Sequence, residues 1–188
     1  MMLPSLIFLS GKKRSGKDTF ASQLISRYGY QRVAFADELK DEASARWGIP
    51  RSQFDRDDLK EGKPFGFAYT RRQLLQMHGR DRRYINPDYW THMARQKINA
   101  GLEKGNRIVV TDARFMNELD TQGDEFPSLL GQKEAIMKIR IERPTLQSDD
   151  TDISETALDD CSFDLTITNM EQHPDWMINH FETQVMGQ

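Results

Sequence analysis

The chain is short of cysteine, of long apolar runs and of net charge, and each shortage closes off a class of protein. Its one cysteine, Cys161, among 188 residues cannot form an intramolecular bridge, so a disulfide framework is excluded and a reducing compartment is expected. At this length about 70% of the unfolded chain's surface can be buried, enough to hold a fold without a structural metal. The apolar run Leu6-Ile7-Phe8-Leu9 falls far short of the roughly 20 residues of a membrane span, and no basic leader precedes it. Nothing in the closing Val185-Met186-Gly187-Gln188 resembles a lipid-anchoring signal. No membrane partner and a cytoplasmic location are therefore expected. With 26 basic against 29 acidic residues the net charge is −3, so no global positive field draws the chain to nucleic acid. Internal repeats and low-complexity tracts are missing too, and what remains has the composition of one globular domain spanning 1–188.

Short apolar runs followed by helical stretches recur along the chain, as they do when parallel strands are joined by crossover helices. Strands are predicted at 5–10, 32–36, 107–111, 135–141 and 165–168. Helices are predicted at 16–28, 37–47, 70–78, 114–121 and 175–183, with a longer one from 87 to about 104. Asn86-Pro87 marks the start of that long helix, since Asn caps orphan N–H groups and Pro suits the first helical position. Residues 49–69, rich in charge, Gly and Pro, and residues 144–152 read as surface excursions, both open to motion.

The most informative residues are Gly11-Lys12-Lys13-Arg14-Ser15-Gly16-Lys17-Asp18-Thr19, between a strongly apolar strand and a helical stretch. Chance supplies a bare G-x-x-x-x-G-K in roughly 5% of chains this long at average glycine usage of about 7%, so the flanking strand and helix carry the assignment. Gly11 and Gly16 let backbone N–H groups turn inward around an anion, the next helix adds its positive end, and Lys17 reaches the terminal phosphates. The strict pattern has Ser or Thr after the lysine, where Asp18 stands here with Thr19 next. A magnesium ligand could then be Asp18 through water, or Thr19. Lys12, Lys13 and Arg14 are either a solvated basic turn or cations that screen two phosphate-bearing ligands.

The same stretch, 6–19, resembles the phosphate loop of bacteriophage deoxynucleoside monophosphate kinases, where Asp-Thr after the lysine is a familiar variant. The likeness continues in Phe35-Ala-Asp-Glu-Leu-Lys40, Arg72-Gln-Leu-Leu-Gln76 with Gly79, Tyr89-Trp90, Thr111-Asp-Ala-Arg-Phe-Met-Asn-Glu118 and Thr151-Asp-Ile-Ser-Glu155. Family members commonly carry His where this chain has Asp152. The resemblance implies a three-layer α/β P-loop fold with a five-stranded parallel sheet and a mobile lid, and transfer of the γ-phosphoryl of ATP with Mg2+ to a deoxynucleoside monophosphate. It implies a lid at about 143–160, an acceptor-binding insertion at about 48–90, and Lys40 among the substrate-binding residues. A phosphate oxygen is already an anionic nucleophile, so no general base is required. Accordingly His78, His92, His173 and His180 show no metal-ligand spacing.

Individual residues carry rival readings. Asp112, just past the third strand, could order the metal, hold an arginine, or cap a helix. Arg114 would open the following helix, where a cation opposes the dipole unless an anion is present. Glu118, four residues on, would share its face as an ion-pair partner, while the resemblance implies an orienting bond to Arg114 or a contact to the sugar hydroxyl. Arg72 suits an acceptor phosphate, Gln76 could read a base edge or meet solvent, and Trp90 could stack on a base or fill the core. Arg143 is the lid cation or a surface residue. The ligand set is thus Gly11, Lys13, Arg14, Ser15, Gly16, Lys17, Asp18 and Thr19 for ATP. For the acceptor it is Lys13, Lys40, Arg72, Gln76, Trp90, Asp112, Arg114 and Glu118. Lys17, Arg114 and Arg143 serve catalysis. Other P-loop kinases, acting on phosphomevalonate or dephospho-coenzyme A, and a nucleotide switch or DNA-motor subunit using Arg80, Arg82 and Arg83, remain as alternatives. A homodimer is left open.

Overall fold

The computed structural model describes residues 3–121, 125–129, 135–145, 153–170 and 175–187. In chain order the elements are β1 (Leu6–Ser10), α1 (Lys17–Tyr28), β2 (Gln31–Val33), α2 (Phe35–Trp47), α3 (Arg51–Asp55), α4 (Asp57–Lys60), α5 (Arg71–Ile85) and α6 (Tyr89–Glu103). There follow β3 (Ile108–Val110), 3-10 turns at Met116–Glu118 and Pro127–Leu129, β4 (Ile136–Glu142), α7 (Ile153–Thr156), β5 (Leu165–Thr168) and α8 (Trp176–Val185). The chain divides into two compact units, one of Met1–Ala34 with Arg95–Gln188 and one of Phe35–Ala94.

The first unit is α/β, built on a five-stranded sheet of order β2-β3-β1-β4-β5. Every pairing is parallel, as the recurrent strand and helix pattern predicts. All of β1 is buried, which is why it reads as an unbroken apolar run rather than an alternating one. From β1 the sheet grows toward β3 on one side and β4 on the other, and ligands of such sheets collect at the carboxyl ends beside that switch point. Phe20 and Leu24 of α1 and Ile178 and Phe181 of α8 join Ile7, Leu9, Val109, Ile139, Ile141 and Ile167 in one core. The Phe20 and Phe181 rings meet edge to face, centroids 5.7 Å apart. Each such residue contributes about 1.5–3 kcal/mol of burial.

The second unit has its own small core of Ala43, Ile49, Phe54 and Leu74. Residues 51–60, expected as open surface chain, form α3 and α4. Phe54 is completely buried, and Arg51 bridges Asp37, Asp41 and Asp55. Helices this short carry no 3.6-residue periodicity to read and form only with such tertiary support. The helix α5 begins with a reciprocal cap, in which Gln73 N donates to Thr70 Oγ1 at 3.2 Å and Thr70 N to Gln73 Oε1 at 2.9 Å. It runs past residue 78 to Ile85 because nothing stops it before Asn86, whose extended backbone is what a following proline imposes. The Asn86 side chain accepts from Asp88 N at 3.0 Å, closing a turn ahead of α6 rather than capping it, since α6 starts at Tyr89, two residues later than predicted. Phe35, expected in a strand, opens α2.

Residues 114–121 are not an α-helix. Only the 3-10 turn Met116–Glu118 forms, because the buried Glu118 carboxylate folds back to accept from Arg114 N at 2.6 Å and Phe115 N at 3.1 Å. Among the described residues, no helix is long and apolar enough to cross a membrane.

Candidate active site

The loop between β1 and α1 has the backbone that its glycines allow. Gly11 has φ 138° and lies so close to β4 that a Cβ there would come within 2.2 Å of Ile141 O. Gly16 has φ 108°, and a Cβ would come within 2.6 Å of Asn169 Nδ2. Arg14 between them also lies in the left-handed region, at φ 64°. Residues of positive φ in a turn can aim N–H groups at an anion, as the N-terminus of a helix such as α1 also does. Ser15 N closes the turn on Lys12 O at 3.1 Å. Asn169, just past β5, donates from Nδ2 to Ser15 O at 2.9 Å.

Lys17, the first residue of α1, folds back across the loop, its ammonium donating to Gly11 O at 2.5 Å and Lys12 O at 2.8 Å. Its pKa is lowered to about 8, first by burial and next by the Arg114 guanidinium, against the opposing pull of Glu155, Asp18 and Asp112. Two cations therefore share one small region ringed by carboxylates. Arg114 Nη1 donates to Ser154 O at 3.3 Å, Ser154 Oγ at 3.4 Å and Glu155 Oε1. The other Glu155 oxygen accepts from the loop amide of Lys13 at 2.8 Å. Burial works against the Arg114 charge and is the largest single influence on it, yet Glu155, Asp112 and Glu118 outweigh it and raise its pKa. Burial likewise opposes the Glu155 charge, but Arg114, Lys13 N and Lys17 prevail and lower its pKa. Glu155 is ionised for that reason although only 9% exposed.

The site thus joins Gly11, Lys13, Ser15, Gly16, Lys17, Asp18, Asp112 and Arg114 of the sequence reading, and adds Glu155, Ser154 and Asn169. The block Thr151 to Glu155 stands out in the sequence, but contacts 142 residues apart, such as Lys13 to Glu155, leave no local trace. Arg114 does not open a helix, so the dipole argument for it falls away; its guanidinium bonds to Glu155, and Glu118 adds negative field to it. Glu118 is buried and grips the Arg114 backbone instead. Arg143 lies one residue past β4 and donates to Arg14 O at 3.2 Å. Of the expected lid, residues 146–152, including Asp152, lie outside the described residues, as does His173.

Within the Phe35–Ala94 unit, Arg72 donates to Glu61 Oε1 at 2.6 Å and Lys40 pairs with Asp55 at 3.0 Å. Gln76 is half-buried on α5, close in sequence to Arg72. Trp90 is only 1% exposed. Its indole N–H donates to Gly79 O at 3.4 Å, and its ring packs edge-on against His78 and Tyr89. This corrects the stacking role: a ring face filled by neighbours has none to offer a base, and Trp90 is a core residue.

Among the described residues no group of three or more His, Cys, Asp or Glu could hold a metal on its own. Magnesium needs less, since it keeps waters and is commonly held by one or two carboxylates together with substrate phosphates. Asp18 and Asp112, both close enough to act on Lys17, are hard oxygen donors of that kind and fit an ion arriving on a nucleotide. Thr19 is exposed on α1. Ser15 Oγ is buried without a hydrogen-bond partner among the described residues, as suits a hydroxyl that meets a phosphoryl oxygen.

Residues 5–86 match the family model described as deoxynucleotide monophosphate kinase. A protein of Acanthamoeba polyphaga mimivirus, assigned as a deoxynucleotide monophosphate kinase, is 33% identical over 196 aligned positions, covering 97% of this chain and 94% of that one. The deoxynucleotide monophosphate kinase of Enterobacteria phage T4 is 38% identical over 72 residues, covering 38% of this chain and 30% of that one. Among solved structures, a sugar kinase from Janibacter sp. HTCC2649 has TM-score 0.46 at 13% identity, covering 96% of this chain and 94% of that one. Dephospho-CoA kinase from Campylobacter jejuni has TM-score 0.42 at 13% identity, covering 98% and 99%.

Proposed function

The chain belongs to the deoxynucleotide monophosphate kinase family, and from that premise we propose that it transfers the γ-phosphoryl of ATP to a deoxynucleoside 5′-monophosphate, giving ADP and the diphosphate. The observation that carries the reading is the loop 11–17, with its left-handed Gly11, Arg14 and Gly16 and the Lys17 ammonium folded over it. The amides of Gly16, Lys17 and Asp18, where the loop enters α1, and Ser15 Oγ hold the β-phosphate. Two of the three Lys17 N–H bonds go to Gly11 O and Lys12 O, and the third reaches a γ-oxygen. Magnesium carried by ATP would be held by Asp18 and Asp112 and supplies charge neutralisation when bound.

Arg114 holds the acceptor phosphate and keeps its nucleophilic oxygen in line with the γ-phosphorus. That oxygen forms the new P–O bond as the bond to the β,γ-bridging oxygen breaks, and the bridging oxygen keeps the electron pair on ADP. No proton need move, because the acceptor oxygen is already an anion. Catalysis then rests on position and charge, for which a half-buried ammonium and guanidinium are suited. By the family likeness, Arg72, Gln76 and Lys40, with the region 48–90, serve recognition of the acceptor nucleotide. Arg143, one residue past β4 and bonded to the loop at Arg14 O, adds a further cation beside the transferring group.

A coupled assay of ADP release against the common deoxy- and ribonucleoside monophosphates tests the reading. ADP formation dependent on a deoxynucleoside monophosphate is expected. ADP formation only with phosphomevalonate or dephospho-coenzyme A, or hydrolysis stimulated by DNA with no acceptor phosphorylated, would refute it.

A further inference from the structure

Glu155 lies outside the phosphate loop and outside the Asp112 to Glu118 segment, yet its side chain touches both. It stands in α7, a helix of only four residues. One carboxylate oxygen takes the Lys13 amide of the loop at 2.8 Å and the other takes the Arg114 guanidinium. The remaining acceptors shown for that guanidinium, Ser154 O and Ser154 Oγ, come from the same short helix. A buried carboxylate is retained only when its charge is matched and its lone pairs are used. Here the match is to a cation which itself stands in the field of a second one, Lys17. An ammonium and a guanidinium repel each other strongly in a partly dry site, so their closeness needs a fixed anion. Asp112 and Asp18 contribute negative field at Lys17, while Glu155 adds bonds that fix Arg114 in place.

We propose that Glu155 is a positioning residue that ties the Arg114 guanidinium to the phosphate loop, holding Arg114 beside Lys17 so that the two cations meet the donor and acceptor phosphates together. This rests on the phosphotransfer reading given above. Glu155 itself touches neither substrate. Its effect falls on how Arg114 presents the acceptor, so ATP binding through the loop is largely spared.

The test uses the full chain and Glu155→Gln, which keeps the side chain's shape and an oxygen for Lys13 N but removes the charge that holds Arg114. The expected outcome is a loss of about 100-fold in kcat/KM for the deoxynucleoside monophosphate, the scale on which a misplaced group lowers rate, with the KM for ATP changed less than about 3-fold. Glu155→Asp, which keeps the charge on a shorter stem, should recover only part of the activity, about a tenth of the wild-type value. Both variants are also examined by 15Nη NMR of labelled arginines, with the Arg114 signals assigned by their absence in Arg114→Lys.

If Glu155 positions Arg114, Glu155→Gln mobilises the guanidinium and its Nη–H signals collapse toward those of a freely rotating group. If those signals stay as in the wild type, Arg114 keeps its place without that charge, and the proposal is overturned. Unchanged acceptor kinetics would overturn it equally. Should Glu155→Gln fail to fold, the same readouts on Glu155→Asp decide: acceptor kcat/KM and Arg114 signals both equal to wild type sink the idea. Should the wild-type chain phosphorylate no nucleoside monophosphate, the kinase reading fails, and the Arg114 signals alone judge the tie.

Discussion

Replacing Lys17 by methionine should abolish turnover and at the same time make the nucleotide-free chain harder to melt. Lys17 titrates at about 8 against an ordinary 10.5, a difference of about 2.5 units or, at 1.36 kcal/mol each, about 3 kcal/mol. The unfolded chain binds this proton more tightly than the folded one. The penalty is therefore complete below about pH 8 and disappears as the pH rises to 10.5. Methionine escapes the penalty but cannot donate to Gly11 O and Lys12 O, which forfeits about 1 kcal/mol for each bond. The balance is a gain of about 1 kcal/mol near pH 7, or roughly 2–4 °C in a chain of this size. Near pH 10.5 only the lost bonds remain and the sign reverses. Saturating Mg-ATP should also reverse the order at pH 7, since ligand at 100 times Kd adds about 2.7 kcal/mol to whichever form binds it. Thermal melts at pH 7 and pH 10 with and without nucleotide, alongside the coupled assay, read all of this. A variant that melts below wild type at pH 7 without nucleotide, or that retains most of its activity, would refute the reasoning.

Other substitutions separate the remaining roles. Arg114→Ala or Arg72→Ala should weaken acceptor use by about 1.5–3 kcal/mol, the worth of a charged hydrogen bond, and ATP binding much less; equal loss of both in a kinetic matrix of the two substrates would contradict that division. Gly11→Ala forces a Cβ to 2.2 Å from Ile141 O at φ 138°, so a loss of 3 kcal/mol or more is expected in denaturant unfolding, and a neutral effect would mean the loop has another backbone. Trp90→Ala should cost about 3–5 kcal/mol of stability as a core deletion. A Trp90→Phe variant that keeps its melt but loses acceptor affinity selectively would restore the stacking role.

The phosphate loop and the sheet were legible because their signals are local. Two glycines at fixed spacing and apolar runs bounded by turn residues report the backbone directly. The site around Arg114 was legible only in part. Its residues were identifiable, but the helix read at 114–121 was displaced by a side chain, Glu118, competing for backbone N–H groups. That competition is invisible to periodicity. The partnership of Arg114 with Glu155 spans 41 residues and is set by the register of β1, β3 and β4. For Trp90 the ambiguity was chemical. An aromatic residue after Tyr89 suits a base or a core equally, and only burial distinguishes them.

The central claim, that loop 11–17 grips the triphosphate tail while Arg114 presents a second phosphate to it, is tested most directly by a crystal structure with an adenosine–deoxynucleoside pentaphosphate. The account predicts phosphate oxygens within about 3 Å of the loop amides, Lys17 Nζ on the polyphosphate, and Arg114 on its deoxynucleoside end. A polyphosphate bound away from the loop, or loop amides turned from it, would contradict the account.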